Sequence, residues 1–416
     1  MARFLLAWEL GGDYGHLMRF LTLARELVRR GHEPVFALRE LTHVETVLGS
    51  EPFRVFQAPI FAGQVTGLPA AIGFAETLMR LGFVHPATLI GLCRGWRTLV
   101  DAIAPDLAIF DYAPTALLAT RAWAGPRVVF GSSFSVPPRT EPMPIYQWWR
   151  GEPLARVLSS ERIVLRSANE VLARLSQPPM SRLSDLLEAD ESIITASEEF
   201  DQYPGRVGAR YWGNVGNLEQ GISPQWPIVG AKRVFAYLKP YFSDFEKILV
   251  ALRKIDAAVI IHSPGVSADM TRKHTAANVA FSAEPLRMVD IQRECDIGIC
   301  HAGGTVDTLV TAGKPVLALP QQLEQMMTGK RLAELGAGIV VEPRMSPAPD
   351  YARLLRRLLE EPSFTVAARA VAQRHAGDGP PARIRRIVDR CEELIATAPS
   401  GRRIPAPLPN QQDSSM

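Results

Sequence analysis

Two histidines in this chain stand where an apolar run gives way to an amphipathic one, each beside glycines. His16 closes Gly11-Gly12-Asp13-Tyr14-Gly15-His16, and His301 opens His301-Ala302-Gly303-Gly304-Thr305. An imidazole changes charge near neutral pH, so either side chain is chemically able to take or give a proton. The second turn has a further use. Backbone N–H groups left unpaired at a helix start attract an anion, and glycines let a phosphate come close. His301 and Thr305 add side-chain donors to that turn. Beyond Pro320 the chain reads Gln321, Gln322, Glu324 and Gln325, a carboxylate and amides suited to holding sugar hydroxyls. Asp111 ends a third apolar run, Leu107-Ala108-Ile109-Phe110. Each residue also has a bland reading. His16 and His301 could be turn residues, Asp111 a helix N-cap, and Glu324 with Gln325 the solvated first turn of a helix.

Such turns work only if a scaffold brings them to one edge. The recurring pattern is short apolar strand, turn, amphipathic helix. Residues 3–8 read as a buried strand, and 17–30 as a helix with Leu17, Phe20, Leu21, Ala24, Leu27 and Val28 on one face. Gly31 sits at the C-cap position, and a strand is expected at 34–38. Further strands are expected at 107–110 and 127–131, with strand-like pieces at 192–196 and 210–213. Residues 136–182, rich in Pro, Trp and Arg, read as an irregular insertion plus helices. A second series starts at 233–238 and continues with strands at 257–262, 278–281, 296–300, 315–319 and 338–341, helices between them. Strand-helix units at this spacing imply parallel sheets with right-handed crossovers, whose ligands bind at the carboxyl ends of the strands. The expected organisation is a first domain over 1–215, a Gly/Pro-rich linker over 216–230, and a second domain over 231–380. A helix over 381–398 is expected to pack back on the first domain, and the polar, Pro-rich 399–416 to be a disordered tail.

The segment 296–338, DIGICHAGGTVDTLVTAGKPVLALPQQLEQMMTGKRLAELGAG, resembles the donor-binding signature of family 1 (UDP-glycosyltransferase-like) glycosyltransferases. The resemblance implies an α/β protein of the GT-B fold, two Rossmann-like domains facing across a cleft. It implies that His301, Gly303, Gly304 and Thr305 hold the donor diphosphate and that Glu324 and Gln325 hold the donor sugar. The loop ending in His16 is similar to the first loop of the same family and resembles that of MurG-like lipid-linked transferases. By this resemblance His16 is the general base, Asp111 pairs with it, and Gly15 lies on the acceptor side. Trp148 and Trp149 could stack on a flat acceptor there, or simply pack. The reaction needs such a base, because the acceptor hydroxyl must lose its proton as it attacks the anomeric carbon. It also needs charge stabilisation of the leaving diphosphate. The chain departs from the family pattern in its shorter glycine turn. Thr308 falls where the ribose-binding acid is expected, with Asp307 beside it as the substitute candidate. The turn after the first strand of the second domain reads Leu238-Lys239-Pro240, whose lysine could meet a phosphate or be solvated.

Bulk composition narrows the rest. The 416 residues suit two domains at roughly 100–200 residues each. Net charge is +3 with no long basic run, so nucleic acid is not an expected partner, while weak contact with anionic membrane surfaces stays open. The four cysteines lack C-x-x-C spacing and read as reduced core residues of a cytoplasmic protein. The N-terminal apolar run is too short for a signal segment, and no stretch is long enough to span a membrane. No D-x-D occurs, which points to a metal-independent enzyme with no cofactor beyond its nucleotide-sugar co-substrate. The expected function is inverting transfer from a UDP- or dTDP-sugar to a hydroxyl of a small lipophilic acceptor. The rivals are a MurG-like transferase on a lipid-linked acceptor, a nucleotide-sugar epimerase, and an inactive donor-binding subunit. The oligomeric state is not written in the sequence.

Overall fold

The computed structural model describes residues 1–398 except 13, 14, 50, 152, 217 and 344–348. The tail expected over 399–416, and Asp13 and Tyr14 of the first glycine loop, lie outside the described residues. The chain forms two compact units. Unit one comprises Met1–Gly131, Ser135–Ile193 and the chain from Arg386 onward; unit two comprises Ser132–Phe134 and Ile194–Arg385.

Unit one is built on a six-stranded sheet in the order β3-β2-β1-β4-β5-β6. Its strands are β1 (Arg3–Trp8), β2 (Glu33–Leu38), β3 (Arg54–Gln57), β4 (Leu107–Asp111), β5 (Arg127–Gly131) and β6 (Glu191–Ile194). β1 pairs in parallel with both β2 and β4, and its Trp8 stands opposite Asp111. Phe4 to Ala7 and Leu107 to Phe110 are wholly buried, as expected of parallel strands covered on both faces. The helix Gly15–Arg29 covers one face through Leu17, Phe20, Leu21, Leu23, Ala24 and Leu27. Val28, expected on that face, is half exposed instead. The helices Pro86–Ile103 and Leu154–Arg174 complete the layers.

Unit two repeats the plan. Its strands are β7 (Arg233–Tyr237), β8 (Ala258–His262), β9 (Val279–Ser282), β10 (Ile297–Cys300), β11 (Val316–Ala318) and β12 (Gly338–Val340), in the order β12-β11-β10-β7-β8-β9. Read from its other edge, this is the same doubly wound order as in unit one. In each sheet the order reverses between the first and fourth strands, and ligands of open α/β sheets bind at that reversal, beyond the carboxyl ends. In unit one the reversal lies between β1 and β4; in unit two it lies between β7 and β10.

Residues 194–215, assigned to the first domain on the sequence, pack into unit two. The Ser197 amide and hydroxyl both donate to Asp307, and Asn214 donates to Gly304 O and Thr308 Oγ1. The stretch read as a linker is also tied down there, Ile222 N donating to Pro285 O and Ser223 Oγ to Asp290. The strand-like piece at 210–213 reduces to a single bridge between Tyr211 and Ile194. In the final helix, Pro380–Thr397, the residues from Arg386 belong to unit one. There Ile387, Val388 and Cys391 are buried, and Arg30 bonds Asp389 and Glu392 at 2.6 and 2.9 Å. All four cysteines are unpaired and buried: Cys93 and Cys391 in unit one, Cys295 and Cys300 in unit two. Among the described residues, no helix is long and apolar enough to cross a membrane.

Candidate active site

In unit one, the reversal point brings together the loop after β1 and the end of β4. Leu10 N donates to Tyr112 O at 3.0 Å. Glu9 Oε2 accepts from the amides of Thr115 and Ala116 at 2.8 and 3.4 Å, capping the helix Pro114–Ala119. These bonds anchor Glu9 and Leu10 to the chain that follows β4. Gly15 opens the helix Gly15–Arg29 and is exposed, and His16 follows it. The His16 ring lies over Trp8, centroids 5.2 Å apart and planes within 16°. Gly11, at φ +86°, faces the other nitrogen: a Cβ there would stand 2.4 Å from His16 Nε2.

His16 Nδ1 lies 2.9 Å from Asp111 Oδ2, and Asp111 is wholly buried. The sequence therefore pointed to two residues, 95 positions apart by number (111 − 16), that the fold does bring together. A third group joins them that the sequence reading missed. Arg19 Nη2 donates to Asp111 Oδ2 at 3.0 Å and lies 2.9 Å from His16 Nδ1. Arg19 stands three residues after His16, one helical turn along, so the spacing alone was a usable signal. Burial raises the Asp111 carboxyl, but the charges and hydrogen bonds of Arg19 and His16 outweigh it and hold the group below its ordinary range. Asp111 is thus a carboxylate at neutral pH. Room for it comes from Gly131, at φ +146°, where a Cβ would lie 2.7 Å from Asp111 Oδ1. Trp148 and Trp149 pack edge-to-face on one another, 4.7 Å between centroids, and both are half-buried.

In unit two, the reversal point is spanned by His301. Its Nδ1 lies 2.8 Å from Leu319 O, and its Nε2 accepts from Lys239 N at 2.9 Å. A carbonyl only accepts, so the proton sits on Nδ1 and the lone pair on Nε2. The ring is neutral: burial lowers its affinity for a proton, with the Lys239 charge adding to that against the Leu319 bond. His301 therefore spends both nitrogens on the backbone, tying the ends of β10 and β11 to the turn after β7. This is a correction to its reading as a hydrogen-bond donor for a diphosphate. The donors left at this turn are backbone amides and the Thr305 hydroxyl. Ala302 takes a left-handed conformation at φ +58°. Gly303 and Gly304 beyond it are exposed, Thr305 is half-buried, and they lead into the helix Gly304–Val310.

Asp307 corrects the ribose reading in the same way. Its carboxylate is buried, with Oδ1 and Oδ2 accepting from Ser197 Oγ and N at 2.6 and 2.9 Å. Burial raises this carboxyl against the lowering effect of the Ser197 bonds. Thr308 Oγ1 accepts from Asn214 Nδ2 and donates to Gly304 O. Glu324 and Gln325 begin the helix Leu323–Glu334 and are half-buried. Glu324 Oε1 accepts from Ser132 Oγ at 3.0 Å, while Gln325 Oε1 accepts from Gln321 N at 2.7 Å, which leaves the Gln325 amide donors turned away from that bond. Ser132 and Gln202, which also holds Glu324 O and Thr328, are support residues the sequence did not single out. Lys239 Nζ lies 5.6 Å from the Tyr237 ring centroid, and the same ring stacks on His262 at 5.8 Å.

Comparison with known proteins agrees with this architecture. Residues 246–394 match the family described as Erythromycin biosynthesis protein CIII-like, C-terminal domain. The chain is 28% identical over 158 residues to an erythronolide mycarosyltransferase of Saccharopolyspora erythraea, covering 36% of this chain and 35% of that one. It is 23% identical over 354 residues to a 3-alpha-mycarosylerythronolide B desosaminyl transferase of the same species, covering 76% and 72%. Among solved structures it resembles the calicheamicin glycosyltransferase CalG4, with a TM-score of 0.67 at 18% identity over 96% of this chain and 99% of that one. It resembles the glycosyltransferase VinC in complex with dTDP at a TM-score of 0.63 and 18% identity, over 95% and 99%. The two six-stranded sheets have the GT-B fold of these solved glycosyltransferase structures, and residues 246–394 are similar to the EryCIII-like C-terminal domain.

Proposed function

We propose that this protein is an inverting glycosyltransferase that moves a sugar from a dTDP-sugar to a hydroxyl of a lipophilic acceptor, with His16 as general base. The observation that carries the reading is the 2.9 Å approach of His16 Nδ1 to the buried carboxylate of Asp111 at the reversal point of unit one. With Nδ1–H directed at Asp111, Nε2 holds the lone pair. It takes the acceptor O–H proton while the acceptor oxygen bonds to the anomeric carbon and the carbon–phosphate oxygen bond breaks. Asp111 stabilises the imidazolium so formed. The departing nucleoside diphosphate keeps the electron pair, and unpaired amides at Gly303 to Thr305 are suited to its charge. Gln325 and the second oxygen of Glu324 are the groups suited to the donor sugar. The acceptor class and the dTDP nucleotide are carried over from the relatives, which include an erythronolide mycarosyltransferase and a structure holding dTDP.

The test uses the purified chain with EDTA present and a panel of nucleotide sugars. Binding is followed by calorimetry, and donor turnover by nucleotide release with and without macrolide aglycones. The expected result is saturable binding of dTDP-sugars and turnover that EDTA does not affect. In His16→Ala turnover falls on the order of 10²–10⁴-fold while binding is kept. Unchanged turnover in His16→Ala removes the base assignment, and no binding of any nucleotide sugar removes the donor reading.

A further inference from the structure

Two polar side chains beside the glycine turn of unit two are committed to the protein itself. His301 spends both ring nitrogens on the backbone, and Asp307 is bonded to Ser197. The donors that remain at the turn, backbone amides and the Thr305 hydroxyl, are neutral. A nucleoside diphosphate is an anion and gains charge as it leaves, so a site for it is served by a cation. The loop after β7 supplies one.

Lys239 stands two residues beyond β7, whose neighbour in the sheet is β10. Its amide donates to His301 Nε2 at 2.9 Å, so one hydrogen bond joins the lysine to the residue that opens the glycine turn. Leu238 and Phe242 belong to the core cluster on one face of the sheet. Tyr237 packs against the cluster on the other face, which holds Ala302, Val306 and Leu309. The Lys239 ammonium lies 5.6 Å from the centroid of the Tyr237 ring, on the side of the sheet that the helix Gly304–Val310 covers. Tyr237 in turn stacks on His262, with centroids 5.8 Å apart and planes within 11°. Burial lowers the proton affinity of His262 and of His301, and the charge of Lys239 acts on both rings in the same direction. Both imidazoles are therefore neutral at neutral pH, and the half-buried lysine is the cation among these four side chains. An ammonium on a flexible four-carbon stem meets a phosphate as a point charge.

We propose that Lys239 binds the diphosphate of the nucleotide-sugar donor and that its ammonium stands beside the leaving nucleoside diphosphate. The proposal rests on the reading of unit two as the donor site. The bond between the anomeric carbon and the phosphate oxygen breaks with its electron pair passing to that oxygen. Lys239 stays protonated throughout and meets the added charge electrostatically. The loop after β7 thus takes over the contact that the sequence assigned to His301.

The test is calorimetry on the full chain at neutral pH with dTDP, dTMP and thymidine, for wild type, Lys239→Met and Lys239→Arg. Melting temperatures check that each variant folds, and Lys239→Gln replaces the Met variant should that one fail. Loss of one charged contact to phosphate is expected to weaken dTDP on the order of 10–100-fold in Lys239→Met, dTMP less, and thymidine not at all. Lys239→Arg regains most of the dTDP affinity. Raising salt from about 50 to 500 mM weakens dTDP more in wild type than in Lys239→Met. Nucleotide release at saturating donor falls at least about tenfold in Lys239→Met, because the charge on the diphosphate is greater in the transition state than in the bound donor. Unchanged dTDP affinity in the folded Met variant overturns the proposal and leaves a solvated lysine. Equal weakening of dTDP and thymidine overturns it as well, as a structural effect, and unchanged release at saturation overturns the leaving-group role. Failure of the donor reading shows separately, as a wild type that binds no nucleotide or nucleotide sugar.

Discussion

Glu9 sits two positions before the glycine loop, and burial pushes its carboxyl up to about 7 against the lowering effects of the Thr115 and Ala116 amides and of Arg39. The unfolded chain releases this proton near the ordinary value of 4.5, so the folded state holds a proton that the unfolded state lacks between about 4.5 and 7. Stability therefore falls as pH rises through that window and stays lower above it. At about 1.4 kcal/mol per unit the loss is on the order of 3 kcal/mol. Glu9→Gln keeps an acceptor for the two amides and removes the titration. We expect it to raise the melting temperature at pH 8 relative to wild type and to make the two chains converge near pH 5. Parallel melting curves for the two chains across this range would show that Glu9 does not titrate as its burial implies. Asp111 works in the opposite sense: its depressed carboxyl contributes stability that is lost only as the solution becomes acidic.

The short helix Gly304–Val310 is held by a side chain that looked, on the sequence, like a ligand contact. Asp307 accepts two hydrogen bonds from Ser197, anchoring the chain just after β6 against this helix. Ala in its place leaves the buried Ser197 amide and hydroxyl without their acceptor. Asp307→Ala should therefore cost about 1–3 kcal/mol of stability, read as a lower melting temperature, and leave dTDP affinity by calorimetry unchanged. A large loss of dTDP affinity with no change in melting would restore a ribose contact. The elements themselves were legible where burial on two faces writes an unbroken apolar run: β1, β4, β7, β8 and β10 all lie within ranges read from the sequence or overlap them. β3 (RVFQ), only partly buried at the sheet edge, and the helix Pro86–Ile103 were not assigned from the sequence. The piece at 210–213 looked like a strand because Arg-Tyr-Trp suits a pleated surface, yet it makes only the bridge of Tyr211 to Ile194 and two backbone bonds, from Trp212 N and Gly213 N, to the 194–196 segment. Strand ends put His16 and Asp111 at one sheet edge, and the family resemblance is what paired them in advance. Directions of side chains were not legible. Whether Asp307 faces a ligand or Ser197, and which atom occupies His16 Nδ1, depend on rotamers and neighbours far away in the chain.

Each unit carries its own doubly wound sheet and core, and each has been left two sulfhydryl groups in that core. Cys93 and Cys391 lie in unit one, Cys295 and Cys300 in unit two, none more than 1% exposed. Burial pushes the Cys295, Cys300 and Cys391 thiols up to about 12 and raises Cys93 as well, so none is a reactive thiolate in the folded chain. An alkylating reagent can reach them only when the surrounding unit opens. The molecule is therefore fitted with two internal clocks, and mass spectrometry of modified peptides reads the opening of each half in a single sample. The clocks can be set against the C-terminal helix. Ending the chain at Arg385 removes the buried Ile387, Val388 and Cys391, apolar burial worth on the order of 5 kcal/mol to unit one. Cys93 should then be modified at least about a hundredfold faster, while Cys295 and Cys300 keep their pace. Equal acceleration of all three would mean that the two halves, for all their separate cores, open as one.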